Sequence, residues 1–192
     1  MPALKIIIEP DPRHGTISQR LRKKSLPVET IDDGVRSLAR DMFATLMDAS
    51  GVGLAAPQVG IYKRLIVVYL PAGYDNEDDP EISLALVNPE IQRAGGRNVE
   101  AEGCLSFPDL YGDVQRYANV TVRTQDIDGN TLKIKARGLL ARVLQHEIDH
   151  LDGILYFDRM EDYSSLRYPT RTPSGDDDEP ANEPVTASSR AV

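Results

Sequence analysis

The segment Gln145-His146-Glu147-Ile148-Asp149-His150 restricts the folds open to this 192-residue chain more than any other stretch. Two histidines four apart sit one turn from each other on a helix, so both imidazoles can reach one divalent metal ion with the glutamate between them. At about 100° per residue, Leu139, Val143, His146 and His150 fall within roughly 60° of one another. Glu147 lies just beyond that stripe, toward Leu140 and Leu144. Leu140, Leu144, Ile148 and Leu151 cover the opposite side, which leaves only Arg142, Gln145 and Asp149 as a polar strip and makes the helix largely buried. A buried glutamate beside a metal points to hydrolysis. The bland alternative is two core histidines and an ion-paired glutamate, and the rest of the chain must decide.

Elsewhere the pattern is that of one domain with a tail. The chain is 41% hydrophobic, and no run approaches the roughly 20 apolar residues of a membrane span. Its start lacks the longer apolar stretch of a signal peptide, so a cytoplasmic protein is expected. The net charge of −8 argues against DNA or other nucleic acid as a partner gripped by its phosphates. From about Ser164 the composition turns to Pro, Ser, Thr, Asp and Glu, so a catalytic domain over 1–163 and a disordered acidic tail over 164–192 are expected.

Periodicity predicts a helix from about residue 32 to 49, with Val35, Leu38, Ala39, Met42, Phe43, Leu46 and Met47 on its core face, ending near Gly51. The stretch Gly51–Gly60 is too rich in glycine for a regular element and too apolar for a solvated loop. Arg64–Leu70 reads as a buried strand, Ile82–Val87 and Glu90–Arg93 as two further strands, and the alternation about Val120, Val122, Leu132 and Ile134 as a hairpin with one wet face. The metal-binding helix should run from about Ala136 to Leu151, with Gly153 as its stop. Residues 75–81 form an acidic loop with no assigned role, and His14 reads as a surface or capping residue. The fold class is α+β, with antiparallel-dominated sheets packed around a central metal-binding helix.

A catalytic metal usually takes three protein ligands and leaves a position for water. No histidine follows His150, so the third ligand must come from upstream. Cys104 is the only thiol; it is free, metal-bound or catalytic, and as a thiolate it would complete a two-His, one-Cys set. A general metalloprotease would instead need a downstream ligand. Two His and one Cys also make blue-copper electron carriers, which have no use for a carboxylate between helical histidines.

Three segments resemble the motifs of the peptide deformylase family, in its order and with similar spacing. They are Gly51-Val52-Gly53-Leu54-Ala55-Ala56-Pro57-Gln58, Glu102-Gly103-Cys104-Leu105-Ser106, and the helical segment from Gln145 to His150. The resemblance covers about Ile7 to Met160. It implies hydrolytic removal of the N-formyl group from the initiator methionine of new polypeptides. It carries the metal ligands onto Cys104, His146 and His150, the acid/base onto Glu147, and the oxyanion donors onto the Gln58 side chain and the Leu105 backbone N–H.

The family's metal is usually Fe²⁺, with Zn²⁺, Ni²⁺ or Co²⁺ able to replace it. A methionine pocket would use Leu139 and Val143, with Val52 beside them, and the peptide would lie extended along Gly53 and the segment after Cys104. Gln145 and Asp149 would orient the site or bridge to an arginine such as Arg116. The partners implied are N-formylmethionyl nascent peptides, with transient ribosome association. A member that binds formyl peptides without cleaving them would lack Glu147 or Gln58, and both are present.

Overall fold

The computed structural model describes residues 3–169. Two sheets enclose one helix. The helices are α1 (Gln19–Arg22), α2 (Asp33–Asp48) and α3 (Gly138–Leu151). The strands are β1 (Gly53–Ala55), β2 (Leu65–Leu70), β3 (Ile82–Gly95), β4 (Asn98–Cys104), β5 (Phe107–Arg116), β6 (Asn119–Gln125) and β7 (Thr131–Arg137). Five strands form an antiparallel sheet in the order β1-β2-β3-β6-β7, and β4 and β5 pair as a separate antiparallel ribbon. The expected α+β class and central helix are what the chain adopts.

The sheet is apolar on both faces where β2 runs. Ile66, Val68 and Leu70 join Leu140, Leu144, Ile148 and Leu151 of α3 in one core, while Leu65 and Val67 join Val35, Ala39, Met42 and Leu46 of α2 in another. A strand covered on both sides reads as a continuous apolar run, as Leu65–Leu70 does. Toward β6 and β7 only the α3 side is covered. The ribbon's apolar residues Phe107, Leu110 and Val114 pack in a third core with Ile7, Leu21, Leu155, Tyr156 and Phe157. α2 is capped by Asp32, whose carboxylate accepts from the Val35 N–H at 2.8 Å.

Several expectations change. The glycine-rich stretch is regular after all: β1 pairs with β2, and a 3-10 turn follows over Ala56–Val59. The two strands expected over 82–93 are one strand with irregular pairing, because Asn88 takes φ 51° ahead of Pro89, which has no N–H to donate. The acidic loop has a structural role: Asp75 accepts from the Leu139 N–H at 2.8 Å and satisfies a free donor at the start of α3. Gly138, at φ 56°, leaves room for that carboxylate. Residues 164–169, assigned by composition to the tail, lie against the body: Leu166 is buried and Arg167 bridges to Tyr111. The remainder of the expected tail, 170–192, is outside the described residues. No helix among those described is long and apolar enough to cross a membrane. His14 is exposed.

Candidate metal centre

α3 is buried along its whole length from Leu140 to Leu151, including the strip expected to be polar. What covers that strip is the ribbon, and it does so with charge. Asn98, Glu100, Glu102 and Cys104 alternate along β4 and so share one side of it. The guanidinium of Arg142 meets three of them: Nη2 to Asn98 Oδ1 at 3.3 Å, Nε to Glu100 Oε2 at 3.1 Å and Nη1 to Glu102 Oε2 at 2.9 Å. Arg116 from β5 pairs with Glu102 at 2.6 Å and with Asp149, which Arg159 also holds at 2.6 Å. The bridge expected between Asp149 and Arg116 is therefore present. Gln145 instead bonds both backbone groups of Tyr117, at 3.0 and 2.9 Å.

Next in the β4 stripe comes Cys104, and here the two histidines arrive. Cys104 Sγ lies 3.3 Å from His150 Nε2, which lies 3.1 Å from His146 Nε2. The three donor atoms fall within 4.8 Å of one another, the geometry of a site that could hold a metal ion. The other nitrogen of His146, Nδ1, is 2.6 Å from Glu102 Oε1, and Nδ1 of His150 is buried without a partner among the described residues. The pattern of charge favours a cation here. Burial works against ionised Glu102, but the hydrogen bond and charge of His146, with those of Arg116, hold its carboxyl well below the usual carboxylate range. Burial likewise works against protonated His146, yet bonds to Cys104 and Glu102 keep its pKa well above ordinary, while burial and the charge of His146 push His150 well below. Cys104 and Glu102 thus favour positive charge at the point where the two imidazoles meet, and a divalent ion fits that donor set.

Glu147 stands apart from this network. It is buried, its Oε2 has no partner among the described residues, and burial pushes its carboxyl up to about 7. It rests against β1, where a Cβ on Gly53 would overlap Glu147 Oε1. Gln58 approaches from the 3-10 turn: its Oε1 accepts from the Ala55 N–H at 2.8 Å, which turns its amide nitrogen toward Ser106 Oγ at 3.2 Å and Cys104 Sγ at 3.5 Å. Val52, Gly53, Gln58, Cys104, Leu105, Leu139, Val143, His146 and Glu147 all line one cavity of roughly 600 Å³, and His150 is not among its lining residues. Nearly every site residue expected from sequence is thus gathered at one place. Sequence reading gave Glu102, Arg142 and Ser106 no role. Glu102 had a legible signal, since it lies two residues before Cys104 and so on the same side of a strand.

Fold and site together describe a metal-dependent hydrolase. The model of the family "Polypeptide deformylase" matches residues 4–165. The peptide deformylase of Thermomicrobium roseum is 54% identical over 163 residues, covering 85% of this chain and 89% of that protein. Among solved structures, a peptide deformylase of Synechococcus elongatus in complex with actinonin superposes with TM-score 0.73 at 41% identity, covering 84% of this chain and 81% of that one. A class I type b peptide deformylase of Acinetobacter baumannii with Met-Ala-Ser bound also gives TM-score 0.73, at 35% identity and with 83% and 99% covered. The chain belongs to the polypeptide deformylase family, enzymes that remove the N-formyl group from new polypeptides. The metalloprotease and electron-carrier readings fall away with that membership.

Proposed function

We propose that Cys104, His146 and His150 hold one divalent ion, Fe²⁺ by family resemblance, and that Glu147 is the acid/base for deformylation of N-formylmethionyl nascent peptides. The observation that carries the reading is the convergence of Sγ and two Nε2 atoms within 4.8 Å, beside a buried carboxylate with an oxygen that has no partner among the described residues. A divalent ion bound there supplies Lewis acidity and a water acidic enough to ionise near neutral pH. Zn²⁺, Ni²⁺ or Co²⁺ would suit the same donors.

The chain's own groups do the rest. Glu147, with its carboxyl raised toward neutrality, takes the proton of the attacking water and passes it to the departing amine. The Gln58 amide, aimed by its bond to the Ala55 N–H, donates with the Leu105 N–H to the formyl oxygen as negative charge grows on it. Val52, Gly53, Leu139 and Val143 form the apolar wall that receives the methionine side chain. The peptide backbone lies along Gly53 on one side and the segment after Cys104 on the other. Transient work at the ribosome and a cytoplasmic location follow from such a substrate.

The test is formate release from a formyl-Met peptide by protein purified without oxygen and quantified for metal. Turnover lost in Glu147→Ala with metal retained supports the assignment. A fully metallated parent with no turnover overturns it.

A further inference from the structure

The outer face of the sheet beyond the reach of α2 carries an uneven charge. β3, β6 and β7 together contain Arg93, Arg123, Lys133, Lys135 and Arg137 against one acid, Glu90, in a chain whose net charge is −8. Their register gathers these groups: Arg93 stands opposite Thr121, Thr121 opposite Lys135, Asn119 opposite Arg137, and Arg123 opposite both Glu90 and Lys133. All five cations are exposed. Arg123 pairs with Glu90 at 2.9 Å, and among the described residues the other four make no ion pair. A groove of roughly 380 Å³ runs between Arg93, Lys135 and Arg137. Lysines on an edge strand guard against edge-to-edge pairing, which accounts for β7 but not for Arg93 and Arg123 on inner strands.

We infer that this basic face is the docking surface of the chain's own acidic segment, Asp176-Asp177-Asp178-Glu179. Residues 170–192 carry five acids (Asp176, Asp177, Asp178, Glu179 and Glu183) against Arg171 and Arg190, the complement of the face. Spacing agrees, since alternate side chains of an extended chain lie about 6.6 Å apart, as Lys133, Lys135 and Arg137 do along β7. Reach agrees as well. Arg167 is anchored opposite Tyr111 in β5, and β5 leads within eight residues to Asn119, the neighbour of Arg137. At about 3.3 Å per residue that path is roughly 26 Å, and the nine residues from Arg167 to Asp176 span about 30 Å when extended. Tethering gives the segment an effective concentration that free polyanions do not have. An outside polyanion such as RNA would have to displace it.

The experiment is acetylation of the full chain by a water-soluble amine reagent at low salt, with the rate at each lysine read by mass spectrometry. It compares the parent with the variant Asp176→Asn, Asp177→Asn, Asp178→Asn, Glu179→Gln. Lys133 and Lys135 should react at least about twofold slower in the parent, Lys5 and Lys63 equally in both, and the difference should vanish in 1 M salt. Equal rates at Lys133 and Lys135 in the two proteins overturn the inference. Added duplex RNA that slows these lysines to the same extent in both proteins overturns it too, in favour of a nucleic-acid surface. RNA protection confined to the variant supports it.

Discussion

Glu102 Oε1 lies 2.6 Å from His146 Nδ1, and the same carboxylate is held by Arg116 and Arg142. A donor histidine whose other nitrogen is fixed by a carboxylate has its tautomer and its ring orientation set in advance. The relationship ties the ribbon to α3 by charge at the point where the donor atoms meet.

Glu102→Gln should therefore weaken divalent-metal affinity by roughly 10- to 100-fold. It should also cost about 3–5 kcal/mol of stability, because two buried guanidiniums lose their shared anion. Competition with a chelator measures the first and urea unfolding the second. Unchanged metal affinity would remove Glu102 from the site.

Glu147→Gln should keep the metal and lower kcat by at least about 10²-fold, within the range of lost acid–base catalysis. Metal analysis and formate release on the same preparation separate the two.

The chelated protein offers a pH test of Glu147. Its carboxyl, raised by burial from 4.5 to about 7, is protonated in the folded state over a range where the unfolded chain has already ionised. Folding then holds the proton, so its contribution to stability is present below pH 4.5 and is lost as pH rises through 7. Chelated Glu147→Gln should match the parent's unfolding free energy near neutrality less closely as pH rises, becoming the more stable protein by pH 8 relative to its standing at pH 5. Parallel stability profiles would refute the raised carboxyl.

Gly53→Ala should reduce turnover sharply while metal binding persists, because the added methyl meets Glu147 Oε1 and Val143 and not the donor atoms. Loss of metal in this variant would show that the damage spreads to α3 itself.

Asp75→Ala should cost about 1 kcal/mol of stability, the usual worth of a side chain that satisfies a helix's first donors, and leave the donor geometry intact. Thermal or urea unfolding checks it, and no change would return the acidic loop to a plain surface role.

The helix bearing His146 and His150 was legible because its pattern is local: four residues of spacing place two imidazoles without knowledge of anything else. Cys104 and Gln58 were legible through motif resemblance. The ribbon was missed because its buried positions on β5 include Gly112 and Arg116 among apolar residues, so no clean alternation shows. The burial of Arg142 and Asp149 was missed for a related reason. Each is satisfied by partners far along the chain, 42 residues away for Arg142 and Glu100 and 33 for Asp149 and Arg116, and helical period carries no information about such pairing. Asn88 and Pro89 made one strand look like two.

Cys104 and His150 stand 46 residues apart in sequence and on opposite sides of the interface between ribbon and helix. An ion gripping both is a removable cross-link as well as a reagent. It closes a long loop in the folded chain and has little preorganised to bind in the unfolded one, so the melting temperature should climb with free metal concentration. Metal supply would then govern how long the enzyme survives as well as how fast it works.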